Sequence, residues 1–250
     1  MNSKKITIVT PVLCPSENVL KVLTACMKSI QIARNKVKAE WIIVDDASDV
    51  GSTFFQSLAD IYIKNQTVQG VSRSMNLGIK LSSGDLVIKL DSDYLVPENL
   101  LEVLLQDWTD DLCFLAPSYN HGRKLITIGL GGVEDKPHGE NNKYKLPWGG
   151  GIIMMSKKVL EEVDYFDEGF GVGRAQDNDL LYRMIMKGYN WRRTNNVAAC
   201  HFASVSCTDP KAPHSRSKRV EIGKEYFIKK HNFPPGGIFQ QANTLLKKKI

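Results

Sequence analysis

Short apolar runs alternate with segments of helical periodicity along the first 110 residues. Runs rich in branched apolar residues are typical of buried strands, and they occur at 6–10, 41–44, 61–63 and 86–90. Apolar residues recur at helical spacing between them: after Ser16, over 54–59, over 70–81 and after Pro97. Strands that alternate with helices indicate parallel βαβ units, so we predict an α/β fold with a mostly parallel sheet.

The second half is less regular in its pattern. Predicted strands cover 113–117, 125–130, 152–155 and 196–202, and a loop covers 131–147. Predicted helices cover 156–163, the residues from Asp177 to the stop at Gly188, and 218–231. A glycine-rich connection, 166–173, precedes Asp177.

Two carboxylates, Asp91 and Asp93, follow the strand predicted at 86–90. Acids at the exposed end of a buried strand are costly unless they are paired, and hard divalent cations bind carboxylate oxygens. Ligands of open α/β sheets bind at this end of the strands. An isolated Asp-x-Asp is also compatible with a simple polar turn. A second acid cluster, Asp45 and Asp46, ends the strand at 41–44.

Charge is unevenly distributed along the chain. Residues 201–250 hold ten Lys and Arg against three Asp and Glu. Since the formal net charge of the whole chain is +6, the first 200 residues are about neutral. A basic end suggests contact with phosphates, a membrane surface or nucleic acid. The alternative is a solvated helix face followed by a frayed lysine tail.

Several protein classes are disfavoured by the sequence. No apolar run approaches the roughly 20 residues of a membrane span, and the first apolar run is too short for a signal peptide. The five cysteines are scattered without Cys-x-x-Cys spacing, which argues against a disulfide framework or zinc site. Neither a dinucleotide fingerprint nor a P-loop is present. We therefore expect a cytoplasmic protein, with peripheral contact to the inner membrane face as an option.

Five motifs, taken together, resemble the family 2 glycosyltransferases of GT-A fold. They are Val44-Asp45-Asp46-Ala47-Ser48, Arg73-Ser74-Met75-Asn76-Leu77-Gly78, Asp91-Ser92-Asp93, Phe166-Asp167-Glu168 and Gln176-Asp177-Asn178-Asp179-Leu180. The resemblance covers about residues 5–203. It implies a GT-A domain at 1–203, with a nucleotide-binding half at 1–110 and an acceptor half at 111–203. Residues 204–250 form a basic extension of loop and helix.

The resemblance also implies roles for individual residues. Asp177 matches the catalytic base. Asp93 and Asp91 match the metal site at the donor diphosphate, where Asp91 faces either the ribose or a metal-bound water, and His201 resembles a third metal ligand. The implied nucleotide-binding residues are Thr10, Pro11, Asp45, Asp46, Arg73, Asn76 and Ser92. The implied acceptor-binding residues are Trp148, Gly149, Gly150 and Asp179.

Some of these residues have simpler explanations. Asp177 could cap its helix, His201 could be a core histidine, Arg73 could lie on a helix surface, and Trp148 could be core. Two departures from the family pattern matter. Gln176 stands where Glu is more common, and the metal motif is Asp-Ser-Asp-Tyr rather than one ending in two acids.

The predicted activity is a metal-dependent, inverting hexosyltransferase reaction. Its expected donor is a nucleotide-diphosphate sugar, above all a UDP-sugar, and its cofactor is Mn²⁺ or Mg²⁺. We expect Arg216, Lys218 and Arg219 to bind phosphates. A surface polysaccharide or lipid-linked glycan is the first choice of acceptor, with a modified nucleic acid base or a protein as alternatives.

Two other classes compete with this prediction. A nucleotidyltransferase needs a glycine-rich basic loop after its first strand, where this chain has Pro11-Val12-Leu13-Cys14-Pro15. A non-catalytic sugar-nucleotide or glycan-binding module would not need both Asp93 and Asp177.

Overall fold

The computed structural model describes residues 4–110, 112–121, 150–202, 205–238 and 241. Its strands form one eight-stranded sheet. The strands of these described residues are β1 (Ile6–Val12), β2 (Glu40–Asp45), β3 (Ile61–Lys64), β4 (Leu86–Leu90), β5 (Tyr94–Leu95), β6 (Leu112–His121), β7 (Ile152–Ser156) and β8 (Asn190–His201). Their order in the sheet is β3-β2-β1-β4-β7-β6-β8-β5. Strands β1 to β4 pair in parallel, as do β6 and β8, whereas β7 and β5 pair antiparallel with their neighbours.

Helices cover both faces of this sheet. They are α1 (Glu17–Val37), α2 (Ser52–Leu58), α3 (Val71–Leu81), α4 (Leu100–Asp107), α5 (Lys157–Glu162), α6 (Gln176–Met186), α7 (Val205–Thr208) and α8 (Arg216–His231). Short 3₁₀ turns occur at Glu168–Phe170 and Pro235–Gly237. Among the described residues, no helix combines the length and apolar character needed to cross a bilayer.

The alternation of side chains along β4 assigns its residues to two different cores. Leu86, Ile88 and Leu90 belong to the apolar cluster that includes α1 and α4. Val87 faces the opposite cluster, which includes residues of α3 and α6. Successive side chains on a strand point to opposite faces, so Lys89 lies on the same side as Val87. This buried position of a lysine becomes important at the site.

The C-terminal helix α8 packs on the second of these clusters. Phe227, Phe233 and Ile238 are buried in the same apolar cluster as Leu180 and Leu181 of α6. Gly223 allows this close approach, since a Cβ atom there would lie 1.8 Å from the carbonyl oxygen of Arg174. Helix α8 therefore shares a core with the rest of the fold, although the sequence suggested an extension after residue 203.

Most predicted elements are present, with boundaries shifted by a few residues. Ser16 caps α1, because its hydroxyl accepts from the amide of Val19. Strand β8 begins six residues earlier than expected, and β5 and α7 were not predicted. The strand predicted at 125–130 and the loop predicted at 131–147 lie outside the described residues.

Candidate active site

A cleft of about 600 Å³ opens at the carboxyl ends of the central strands. Residues after β1, β2 and β4 line one wall, and the loop before α6 lines another. Residues of α7, α8 and the loop between them close the cleft from the C-terminal side. Parallel strands that end at a common edge bring the two separate acid clusters together.

Asp91, Ser92, Asp93 and His201 line this cleft together. The Nε2 atom of His201 lies 3.4 Å from Oδ1 of Asp93. The pairing of β5 with β8 explains this proximity, because Tyr94 is in register with His201. The imidazole also stacks on the Tyr94 ring with centroids 4.1 Å apart, which fixes its orientation.

These residues fit part of a divalent metal site. Two ligands at right angles on a Mg²⁺ or Mn²⁺ ion lie about 3 Å apart, close to the separation of Asp93 and His201. Across the described residues, no group of three or more His, Cys, Asp or Glu side chains forms a complete metal site. This is compatible with Mg²⁺ sites in which one or two carboxylates act together with substrate phosphates.

Asp177 also lines the cleft, in the first turn of α6. Its side chain is 22% exposed. Its Oδ1 atom is buried and has no hydrogen-bond partner among the described residues. Burial raises the pKa of Asp177 to about 6, although the nearby charge of Lys89 acts to lower it. A carboxylate with this pKa is suited to general base catalysis near neutral pH.

Lys89 lies between the carboxylates of Asp91 and Asp177. Its Nζ atom donates to Oδ1 of Asp91 at 2.8 Å and to the carbonyl oxygen of Gly150, and it lies 3.6 Å from Oδ1 of Asp177. The side chain is 1% exposed. Burial alone would lower the pKa of Lys89, but the carboxylates of Asp177 and Asp91 raise it above its usual value. The ammonium group therefore stays charged.

The two acids of the second cluster lie in different surroundings, Asp46 at the cleft and Asp45 in the protein interior. Asp46 lines the cleft and accepts from Asn65 Nδ2 at 2.8 Å and from the amides of Gln69 and Gly70 at 2.8 and 2.9 Å. Asp45 is fully buried and accepts from the hydroxyls of Ser52 and Tyr62 and from the amide of Ser48. Asp45 thus supports the loop, whereas Asp46 faces ligand space.

One face of α8 adds positive charge to the cleft. Arg216, Arg219, Val220 and Lys224 recur at spacings of three and four residues and all line it, together with Arg174. Nε of Arg219 donates to the carbonyl oxygen of Val172 at 2.9 Å. Arg216 and Lys224 are exposed and have no hydrogen-bond or ion-pair partner among the described residues. These two cations are available for an anionic ligand.

The comparisons with known proteins agree with this architecture. The family model described as Glycosyl transferase family 2 matches residues 10–162. The chain belongs to this family.

Solved structures resemble the family 2 chain over most of its length. Mannosyltransferase PcManGT from Pyrobaculum calidifontis, in complex with GDP-Man and Mn²⁺, has a TM-score of 0.65 at 14% identity, covering 97% of this chain and 70% of its own. S. aureus TarS 1-349 has a TM-score of 0.56 at 18% identity, covering 92% and 72%. The same TarS segment with UDP-GlcNAc has a TM-score of 0.57 at 16% identity, covering 92% and 73%. The fold is GT-A. No curated protein matches the chain.

Several residues that the family resemblance singled out lie away from the cleft. The hydroxyl of Thr10 accepts from Trp41 Nε1 at 2.9 Å, whereas the neighbouring Pro11 does line the cleft. The Asn76 amide donates to the carbonyl oxygen of Phe166 and accepts from its amide, at 2.8 and 3.0 Å. Asn76 therefore fastens α3 to the loop at 166–168, and its amide is occupied there.

Two charged residues likewise have protein partners in place of the ligand contacts expected for them. Arg73 is exposed, donates to Gln69, and lies 3.6 Å from a carboxylate oxygen of Glu168. Lys218 is exposed and pairs with Glu221 at 3.1 Å. Neither side chain lines the cleft, so the described geometry supports neither the nucleotide role of Arg73 nor the phosphate role of Lys218.

Of the expected acceptor-binding residues that the structure describes, only Gly150 lines the cleft. Trp148 and Gly149 lie outside the described residues, whereas Gly150 lines the cleft. A Cβ atom on Gly150 would lie 2.4 Å from Cγ of Asp177, so glycine allows the carboxylate to sit against the backbone. Asp179 is fully buried and pairs with Arg183 at 2.8 Å and with Lys230 and His231 at 2.7 Å. The acceptor role expected for Asp179 is thus not supported by its position.

The structure adds site residues that the sequence reasoning did not select: Lys89, Tyr94, Arg174, His214 and Lys224. A signal existed for Lys89, since a charged residue at an inward position of a buried strand requires partners. No local pattern indicates Arg174 or His214, because the folding of distant loops brings them to the cleft.

Proposed function

We propose that this family 2 protein is a metal-dependent, inverting glycosyltransferase with a UDP-sugar donor and a hydroxyl acceptor. The observation that carries the proposal is the arrangement of one cleft. It brings together the Asp91, Asp93 and His201 side chains with the partly buried carboxylate of Asp177. Transfer from a nucleotide-diphosphate needs charge stabilisation at the leaving group and a base at the acceptor, and these two sets of residues are suited to supply them separately.

Asp46 is proposed to recognise the nucleotide base. Its carboxylate already accepts three hydrogen bonds, and a carboxylate offers about four acceptor positions. The remaining position can accept an N–H group of a uracil ring. A guanine ring also offers N–H donors, and one similar structure holds GDP-Man whereas another holds UDP-GlcNAc. An experiment on donor identity therefore needs both UDP- and GDP-sugars.

Asp93, His201 and Asp91 would hold Mn²⁺ or Mg²⁺ together with the donor diphosphate. The ion would supply Lewis-acid stabilisation of the negative charge that develops on the diphosphate. A nitrogen ligand such as His201 favours manganese over magnesium. Arg216, Arg219 and Lys224 line the same cleft and would offset the same phosphate charge.

Asp177 is proposed to take the proton of the acceptor hydroxyl. As the hydroxyl oxygen forms its bond to the anomeric carbon, the bond from that carbon to the diphosphate breaks. The electron pair leaves with the diphosphate. A single displacement of this kind inverts the configuration at the anomeric carbon. Since Oδ1 is buried beside Lys89, the other oxygen of Asp177 is the one left for the acceptor.

The finer predictions about substrate stay proposals. Hexosyl transfer to a surface polysaccharide or lipid-linked glycan is our first choice, with a modified nucleic acid base or a protein as alternatives. The basic face of α8 could also meet an anionic membrane surface or nucleic acid. A cytoplasmic location is part of the proposal.

A panel of nucleotide sugars tests the proposal directly. UDP- and GDP-sugars are incubated with the protein, with and without Mn²⁺, and thermal shift and release of free nucleotide diphosphate are measured. We expect a metal-dependent stabilisation by UDP-sugars, because specific ligands stabilise the folded state by mass action. Binding without turnover, in the presence of diverse hydroxyl acceptors, would instead favour a non-catalytic sugar-nucleotide module.

A further inference from the structure

We propose that Lys89 is a positioning residue for glycosyl transfer, holding the base Asp177 and the donor-side Asp91 in one fixed arrangement through its buried ammonium group. The inference rests on the proposed function. It deepens that function by linking the two halves of the site through a residue that neither the family motifs nor the sequence predictions include.

The position of Lys89 is costly and has no packing advantage. It lies on the central strand β4, beside Val9 of β1 and Ile153 of β7 in the strand register. Both neighbours are fully buried apolar residues. An apolar side chain would suit this layer better, because burying an ammonium group is favourable only with well-placed partners. The partners of Lys89 all belong to the cleft.

Those hydrogen bonds tie two separate segments to one atom. Nζ donates to Asp91 at the end of β4 and to the carbonyl oxygen of Gly150 before β7. The amide of Asp91 in turn donates to the carbonyl oxygen of Gly151 at 2.7 Å. Asp91 and the Gly150–Gly151 backbone are thus fixed to each other twice, once through Lys89.

The Gly150 backbone is also the surface against which the base lies. Asp177 packs so closely on Gly150 that a Cβ atom there would lie 2.4 Å from its Cγ atom. Its Oδ1 atom lies 3.6 Å from Nζ of Lys89, just beyond hydrogen-bond distance. Catalytic hydrogen bonds are often long before substrate binds and shorten in the complex. Lys89 is therefore placed to orient one oxygen of Asp177 and leave the other for the acceptor.

A double-mutant cycle between Lys89 and Asp177 tests this role. Lys89→Met keeps most of the length of the side chain and removes its charge and donors. We expect it to lower kcat by about 10- to 100-fold in the wild-type background, at or below the lower end of the roughly 10²- to 10⁴-fold ascribed to proton transfer by a positioned base. In the Asp177→Asn background the additional loss should be under about threefold, because coupled residues are non-additive.

Two further readouts separate positioning from general structural damage. The acid limb of the kcat–pH profile should move to higher pH in Lys89→Met, because the positive charge that lowers the pKa of Asp177 is gone. Arg174 also lowers that pKa, whereas burial and Asp91 raise it, and these three influences remain. The control is Lys157→Met, since Lys157 donates to the carbonyl oxygen of Ser82 and does not line the cleft. It should leave kcat and the pH profile unchanged.

The same double-mutant cycle can be measured without substrate, as changes in Tm during thermal unfolding in EDTA. Lys89→Met should lower the Tm by on the order of 10 °C, because it leaves buried carboxylates uncompensated, and by clearly less when Asp177 is already Asn. Lys89→Gln is the second variant if Lys89→Met does not fold, since it removes the charge but keeps a polar N–H group on a shorter side chain. It should fold and lose kcat.

Two results would overturn the proposal. One is unchanged kcat in folded Lys89 variants. The other is an equal loss of kcat with and without the Asp177 carboxylate, together with no coupling in Tm. Absence of turnover in the wild-type protein would count against the proposed function alone, because the Tm coupling requires no substrate.

Discussion

The imidazole Nε2 of His201 lies 3.4 Å from Oδ1 of Asp93, at the point where β8 pairs with the short strand β5. A backbone hydrogen bond of 2.9 Å from the amide of Phe202 to the carbonyl oxygen of Asp93 holds the two segments together. The carboxylate and the imidazole, 108 positions apart in sequence, are thereby kept at a separation suited to one divalent ion.

This pair predicts a graded loss of metal-dependent donor binding. Asp93→Ala should abolish the Mn²⁺-dependent part of UDP affinity, whereas His201→Ala should weaken it less, because the carboxylate contributes charge and the imidazole does not. Isothermal titration calorimetry of UDP with and without Mn²⁺ measures both. Asp49→Asn, an exposed acid outside the cleft, is the control. Unchanged affinity in Asp93→Ala would exclude Asp93 as a metal ligand.

The raised pKa of Asp177 predicts a pH-dependent effect on stability. Its folded pKa of about 6 lies above the ordinary value of 3.8. The native state thus binds the proton more tightly, and this contribution to stability is complete below pH 4 and lost as the pH rises through 6. Asp177→Asn should therefore gain stability relative to wild type between pH 4 and pH 7, by on the order of 1–3 kcal/mol. Thermal or urea unfolding in EDTA at both pH values measures it, and a constant difference would contradict the expected pKa.

The cationic face of α8 predicts a salt-sensitive contribution to donor binding. Replacing both Arg216 and Lys224 by Gln should raise the donor KM and reduce its dependence on ionic strength, since exposed charges act through screened electrostatics. Lys218→Gln is a matched control on the same helix, because Lys218 pairs with Glu221 outside the cleft. If the double variant and the control behave alike, the charges form only a solvated face.

The buried ion pairs of Asp179 predict a structural phenotype. Asp179→Asn leaves Arg183, Lys230 and His231 without their shared carboxylate. Loss of one partner from a buried ion pair typically costs about 3–5 kcal/mol, so we expect a large fall in unfolding free energy in urea. Glu221→Gln, which disrupts an exposed pair, should change it by less than about 1 kcal/mol. A folded Asp179→Asn protein with only a raised acceptor KM would restore the acceptor role.

Helix geometry explains why some predicted residues do not reach the cleft. Asp177 and Asp179 are two positions apart, and so are Arg216 and Lys218. Residues at this spacing point to nearly opposite sides of a helix. Only one member of each pair can face the cleft, and the structure places Asp177 and Arg216 there. Periodicity alone therefore argued against assigning both members of either pair to the site.

Other outcomes depend on long-range contacts that local patterns do not indicate. The acids Asp91 and Asp93 were predictable because they follow a buried strand whose end forms the binding edge. Asn76 has its partner at Phe166, 90 positions away, and Asp179 has one at His231, 52 positions away. A sequence motif identifies such residues without telling whether they bind a ligand or another part of the protein.

The assignment of Asp177 as the base gives the most direct test of the mechanism. Asp177→Asn is nearly isosteric, but its amide cannot take a proton at neutral pH. We expect kcat to fall by about 100-fold or more. Donor and metal affinity should persist, because the base acts on the acceptor. The wild-type kcat should rise with pH through about 6 as Asp177 loses its proton.

Product stereochemistry completes this test. One base and one displacement require the product to have the anomeric configuration opposite to that of the donor, which proton NMR coupling constants report. Asn178→Ala is a neighbouring control, since the Asn178 amide donates to the carbonyl oxygen of Pro235 at 3.3 Å and carries no ionisable group. Near-normal turnover in Asp177→Asn would show that Asp177 is not the base. A product that retains the donor configuration would instead require a second displacement and a nucleophile that this arrangement does not include.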